Sequence, residues 1–192
     1  DSKHYILVLE YANEGNLRNY LKKNFTSLKW NNKIQMALDI TSGLKFLHSK
    51  EVIHRDLHSK NILVNNGKLL IADFGLSKKL AEITPNSKGN KYGMVEYIEP
   101  QCLKNIEYKK DKKSDIYSLG VLLWEISSGR PPFSKCSRGI ISCHIKDGYR
   151  EKPIENTPPK YQKLYQECWD GEPEPRPDIE KVYEILSQLK TS

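Results

Sequence analysis

At 192 residues the chain is long enough for one domain with a real core, and its 38% hydrophobic and 29% charged residues exclude a disordered or fibrous protein. No apolar run approaches a membrane span, and Cys102, Cys136, Cys143 and Cys168 are too scattered for a CxxC zinc site or a small disulfide scaffold. The net charge of +7 would suit nucleic acid, but the densest cluster, Lys109, Lys110, Lys112 and Lys113, is broken by Asp111 and lacks interleaved aromatics, so it reads as a solvated surface.

The chain opens on no signal peptide; it enters an apolar run almost at once, as the cut edge of a longer chain would. Tyr5 to Ala12, YILVLEYA, is a buried strand by pattern. Asn13-Glu14-Gly15-Asn16 follows as a turn, and Leu17 to Leu21 begins a short helix. From Trp30 to His48, apolar residues at Trp30, Ile34, Ala37, Leu38, Leu44 and Leu47 recur at three- and four-residue steps, which predicts an amphipathic helix.

Ile53 to Gly75, IHRDLHSKNILVNNGKLLIADFG, carries the chemistry. Ile62-Leu63-Val64 and Leu69-Leu70-Ile71 are short apolar runs around Asn65-Asn66-Gly67-Lys68, and Asn-Gly is a strong hairpin signal. A tight hairpin brings Asn61 and Asp73 together at its open end. Leu76 to Gln101 is polar in the middle, with Thr84, Ser87 and Tyr92 as candidate phosphosites.

Asp115 to Ser128 is apolar nearly all round, which predicts a buried central helix, with Asp115 as its cap after Ser114. Arg138 to Lys146 is a weaker helix, and Pro153 to Pro159 is a loop. Tyr161 to Trp169 and Asp178 to Leu189 close the chain, the latter with a core stripe of Ile179, Val182, Ile185, Leu186 and Leu189.

Two motifs in order, His54-Arg55-Asp56 with Asn61 and then Asp73-Phe74-Gly75, resemble the catalytic loop and metal-binding motif of protein kinases. The resemblance covers nearly all of the chain. It implies an α+β, mainly α, protein-kinase-like fold: a helical C-lobe with a short hairpin beside the catalytic loop. Residues 1–192 are then a partial kinase domain, 1–12 being the last small-lobe strand and hinge and 13–192 the C-lobe. The rest of the small lobe, with its Gly-rich loop, strand lysine and helix glutamate, is not in this sequence.

By the same resemblance the cofactors are ATP and Mg2+, and the substrate is a protein. Asp56 accepts the hydroxyl proton, and Asn61 and Asp73 ligate magnesium. Leu9 is the gatekeeper, Glu10 and Ala12 present backbone groups to the adenine, and Leu63 belongs to the nucleotide site. His54 packs beneath the loop and ties it to the metal-binding motif, and Asp115 bonds the loop's backbone. Arg55 faces a phosphate on the activation segment, which makes an upstream kinase or a scaffold a further partner. The cysteines and the missing leader fit a cytoplasmic protein.

The loop's own variations are informative. Ser/Thr kinases usually carry a lysine where His58 stands, and tyrosine kinases an arginine where Lys60 stands. The loop therefore looks closest to the tyrosine-kinase-like branch, whose members mostly modify Ser/Thr. Lys60 joins Asp56 and Arg55 as a catalytic candidate, and the alternative is that His58 and Lys60 are loop surface. Met94 replaces a common Thr after Gly93. The family's Ala-Pro-Glu anchor reads Glu99-Pro100-Gln101, so its ion pair with Arg176 is expected to become a hydrogen bond from Gln101, with compensation from a nearby acid. The altered anchor and the missing small lobe leave a second function open, a non-catalytic scaffold of kinase fold.

Overall fold

The computed structural model of the protein describes residues 11–82 and 93–191. The expected strand with Leu9 and Glu10, and the candidates Thr84, Ser87 and Tyr92, lie outside these residues. The described chain is mainly helical: α1 (Leu17–Asn24), α2 (Trp30–Ser49), α3 (Pro100–Lys104), α4 (Lys112–Ser128), α5 (Arg138–Lys146), α6 (Pro159–Cys168) and α7 (Ile179–Thr191). Four short strands, β1 (Val52–Ile53), β2 (Ile62–Asn65), β3 (Lys68–Ile71) and β4 (Lys78–Lys79), pair antiparallel as β1 with β4 and β2 with β3. This is the α+β, mainly helical arrangement expected from the sequence.

Helix α4 is the centre of the core. Every residue from Ser114 to Ser127 is buried, as its hydrophobicity on all faces requires. Its cap is Asp111 and not Asp115. The Asp111 carboxylate accepts from the Ser114 N–H at 3.1 Å, and the Ser114 hydroxyl accepts from the Asp111 N–H at 3.0 Å. That reciprocal pair satisfies the helix start one turn early and leaves Asp115 for the loop described below. Helix α6 packs against α4, with the Tyr161 hydroxyl donating to the Leu123 carbonyl at 3.0 Å.

Helix α2 lies between α4 and α7 and contacts both. Ile34, Ala37, Leu38, Thr41, Leu44 and His48 form its buried face, and Trp30 and Leu47 flank it, partly buried. Along α7, Ile179, Val182 and Leu186 are buried while Ile185 and Leu189 sit at the edge of the core. Each fully buried Leu, Ile or Val contributes roughly 1.5–3 kcal/mol. These helices therefore make a stiff platform on which the irregular segments rest. Cys168 is buried in it and Cys102 is buried on α3, and burial pushes both thiols up.

The hairpin forms as its sequence dictates. Asn65 pairs with Lys68, and Asn66 and Gly67 take φ of 50° and 73°. Two successive positive φ values make the turn whose twist matches the strands, and Asn-Gly tolerates them best. The preceding segment straps it down: the Val64 N–H donates to the Gly15 carbonyl at 2.8 Å, the Glu14 N–H to the Val64 carbonyl at 3.1 Å, and the Gly67 N–H to the Glu14 carboxylate at 2.6 Å. On the other side the Leu69 N–H donates to Asp39 of α2 at 3.0 Å.

Candidate functional site

The loop between β1 and β2 is held from below by one carboxylate. Asp115, 1% exposed, accepts from two successive backbone N–H groups, His54 at 2.8 Å and Arg55 at 2.9 Å, and contacts His48 Nε2 at 3.0 Å. Arg55 sits at φ 71°, a conformation that non-glycine residues rarely adopt and that needs support from its surroundings. Asp115 supplies that support, and the buried Lys110 adds to it by donating to the Arg55 carbonyl at 2.8 Å.

His54 ties this loop to the 73–75 motif. Its Nδ1 accepts from the Asp56 N–H at 3.4 Å, which puts the neutral ring's proton on Nε2, facing the Ala72 carbonyl at 3.1 Å. The ring also packs on Phe74, centroids 5.4 Å apart. At the hairpin's open end the Ala72 N–H donates to the Asn61 carbonyl at 2.8 Å, so Asn61 and Asp73 flank the last rung of the ladder.

Asn61 and Asp56 meet there, and Asp73 follows one residue after Ala72. The Asn61 side-chain amide donates to the Asp56 carbonyl at 3.0 Å and to its carboxylate at 3.3 Å. The nitrogen is thus the atom that meets Asp56, and the oxygen is the amide's acceptor atom. Asp73, exposed and at φ 62°, accepts from the Gly75 N–H at 3.2 Å through one oxygen. Asp56 is partly buried. Burial alone raises its carboxyl, but the hydrogen-bonding contact from His58 first, and then the Lys110 cation, outweigh it and hold the pKa below the ordinary aspartate value. These surroundings favour the carboxylate form of Asp56.

His58 is not loop surface. It is buried, with Nε2 3.6 Å from Asp56 Oδ2 and Nδ1 3.2 Å from the Asn61 N–H. Lys60, by contrast, is exposed, and Arg55 reaches toward the Leu76 carbonyl at 3.4 Å. Ala12 is half-buried with its carbonyl taken by the Gly15 N–H at 3.4 Å, and Leu63 is half-buried between the buried Ile62 and Val64. Sequence reasoning also passed over Gly93. It stands against Asp56 so closely that a Cβ there would lie 2.6 Å from Oδ1.

Beneath the loop lies a polar network that no motif announced. Arg18 donates to Ser59 at 3.0 Å, to Glu125 at 3.1 Å and to the Tyr97 hydroxyl at 2.8 Å, and Tyr97 donates to Glu125 in turn. It joins α1, the loop, the 95–97 turn and α4. Burial raises the Glu125 carboxyl, and Arg18, Tyr97 and Ser59 pull it back only in part.

The anchor meets expectation in its compensating acid and departs from it at Gln101, which does not bond Arg176. Arg176, 1% exposed, pairs with Glu99 at 2.8 Å and not with Gln101. Glu99 also accepts from the Ser114 hydroxyl, and Arg176 donates to the carbonyls of Lys113 and Asp170. Gln101 points outward and donates to the Gly171 carbonyl at 3.1 Å and to Glu172 at 2.9 Å. The charged pair is thus kept, with its acid two residues earlier. The reason is local: Glu99 precedes Pro100 at the start of α3 in extended backbone, which aims its side chain inward, while Gln101 lies on the helix's outer side.

Among the described residues no helix is long and apolar enough to cross a membrane, and no three His, Cys, Asp or Glu side chains cluster to hold a metal. A family model described as protein tyrosine and serine/threonine kinase matches residues 1–186. The chain is 36% identical over 185 residues to megakaryocyte-associated tyrosine-protein kinase of Rattus norvegicus, covering 95% of this chain and 38% of that protein. It is 34% identical to serine/threonine/tyrosine-protein kinase HT1 of Arabidopsis thaliana, covering 96% and 47%. It is 35% identical to human receptor-interacting serine/threonine-protein kinase 1, covering 98% and 31%. The chain thus spans less than half the length of these relatives.

Proposed function

The chain belongs to the protein tyrosine and serine/threonine kinase family, and from that premise we propose that it is the C-lobe of a kinase domain that passes the γ-phosphate of ATP to protein Ser or Thr hydroxyls, with Tyr as the less favoured acceptor. The observation that supports this reading is the hydrogen-bonded pair of Asp56 and Asn61, with Asp73 one residue beyond the Ala72 N–H that bonds the Asn61 carbonyl. Phosphoryl transfer needs a positioned hydroxyl and balanced charge more than covalent help. Asp56, favoured as a carboxylate and pinned by Asn61, orients the hydroxyl and takes its proton. Arg55 and Lys60 are assigned to the activation-segment phosphate and the substrate side of the loop.

The donor set fits magnesium. Asn61 offers an amide oxygen and Asp73 a carboxylate, both hard ligands, and two protein ligands are what Mg2+ takes when phosphates and waters complete its shell. When bound, the ion neutralises charge on the phosphates. Leu9, Glu10, Ala12 and Leu63 are assigned to the nucleotide on the same reading, in a protein acting in the cytoplasm on protein substrates.

The scaffold alternative drew on the altered anchor. The retained Glu99–Arg176 pair weakens that motive, because the activation segment's end is still fixed by a buried charge pair. The test is magnesium-ATP transfer by the natural full-length protein to Ser/Thr and Tyr peptides. Asp56→Ala should lower the rate by about 10²–10⁴, the range for a positioned acid–base group. Wild-type-like transfer by that variant would remove Asp56 from the mechanism. No transfer by the unaltered protein, even after activation-segment phosphorylation, would favour the scaffold.

A further inference from the structure

The geometry points to His58 as the residue that positions the catalytic carboxylate, its Nε2–H directed at Asp56 Oδ2 while its Nδ1 is locked by the Asn61 N–H. The inference rests on the kinase reading and goes beyond it, because no motif assigns a role to an imidazole here.

The ring's orientation follows from its neighbours. The Asn61 N–H lies 3.2 Å from Nδ1 and 2.9 Å from the His58 carbonyl, a shared donation inside the loop. An N–H can only donate, so Nδ1 is the accepting nitrogen. In the neutral imidazole the proton then sits on Nε2, the nitrogen 3.6 Å from Asp56 Oδ2. That separation is just beyond hydrogen-bond length, and such contacts in a site without substrate commonly tighten when the reacting complex forms.

The ring cannot swing away easily. It is 8% exposed and packs against Tyr97 with centroids 6.0 Å apart. Tyr97 is itself fixed by Arg18, Ser59 and Glu125. The Asp56 carboxylate is thereby bounded on three sides: Asn61 Nδ2 at 3.3 Å, His58 Nε2 at 3.6 Å, and the bare backbone of Gly93, whose Cβ would approach Oδ1 to 2.6 Å. His58 also joins the proposed base to the proposed metal ligand, since one ring touches Asp56 at one nitrogen and Asn61 at the other. A lysine at this place would bring a permanent charge. The imidazole brings direction and leaves both neighbours in register.

The two nitrogens can be separated by substitution. A Gln amide reaches the place of Nε2 and can still donate to Asp56; an Asn amide reaches only the place of Nδ1. In the full-length protein His58→Ala should lower kcat by about 10- to 100-fold, the scale of an ångström's misplacement, with KM for ATP little changed. His58→Gln should recover most of that loss and His58→Asn little of it. Equal activity in all three variants, or recovery by Asn and not Gln, would overturn the assignment.

A second measurement does not depend on turnover. The ring 15N signals of His58 should show a protonated Nε2 and an accepting Nδ1, and the opposite tautomer would overturn the inference. If the unaltered protein transfers no phosphate, the kinase reading falls, and the ring signals still decide the orientation proposed here.

Discussion

At the scale of single residues, the carboxylate of Asp56 is shaped as much by a missing side chain as by those present. Gly93 takes φ 129°, and a Cβ there would meet Asp56 Oδ1 at 2.6 Å. Neither problem can be relieved alone: rotating the backbone to a normal φ moves the chain that leads into Met94, and keeping it drives a methyl into the carboxylate. Gly93→Ala should therefore lower kcat in the full-length protein by about 10²-fold, through a displaced Asp56, with a smaller effect on KM for ATP. Unchanged kcat would show that Asp56 has room to move. His58 makes the complementary point. Its position in the sequence is plain, but its burial is a property of the folded loop, and without burial the natural reading of a loop histidine is surface.

At the scale of elements, the loop from His54 to Asn61 is fixed by side chains from pieces far apart in the chain. Asp115 of α4 holds two of its N–H groups, while Arg18 of α1, Tyr97 and Glu125 of α4 converge on Ser59 below it. Glu125 is a buried acid whose carboxyl is raised above its ordinary value of 4.5, first by desolvation, with Arg18 as its main opposing partner. The folded protein then binds this proton more readily than the unfolded chain does. The group's contribution to stability is full below pH 4.5 and is lost as pH rises through its folded value. Glu125→Gln, which cannot ionise, should flatten the decline in stability above that pH relative to the unaltered chain. Urea midpoints measured in parallel from pH 4.5 to about 7 decide it. Parallel curves would show that Glu125 titrates alike in both states.

At the scale of the whole molecule, what could be read in advance was what is local. The hairpin follows from Asn66-Gly67 between two apolar runs, and α4 follows from hydrophobicity on every face. The candidate site residues could be proposed because their spacing is tied to a short loop. The network under Ser59, the place of His58 and the partner of Arg176 depend on contacts between segments dozens of positions apart, which periodicity does not report. The cap at Asp111 is a nearer miss: Asp111 and Asp115 are both acids at the start of one helix, and only the reciprocal bonds with Ser114 separate them.

The anchor between the activation segment and the C-terminal helices shows how such a long-range contact can move without being lost. Motif register assigns the acid to position 101, yet the buried guanidinium of Arg176 is met by Glu99, with both side chains fully enclosed. Removing one partner of a buried pair leaves an uncompensated charge and costs about 3–5 kcal/mol. Glu99→Gln should lose stability on that scale, read as a drop in the denaturant midpoint at unchanged slope. Gln101→Glu should not strengthen the anchor. Its side chain lies beside Glu172 at 2.9 Å, so a second carboxylate there meets repulsion at the surface, and the change stays within a few tenths of a kcal/mol. The decisive case is the double variant. If Gln101→Glu, added to the Glu99→Gln background, fails to recover the lost stability, the acid's place is set by the inward aim of residue 99 ahead of Pro100. Full recovery would mean that Arg176 accepts a carboxylate from either position, and the shift from the family's pattern would carry no structural weight.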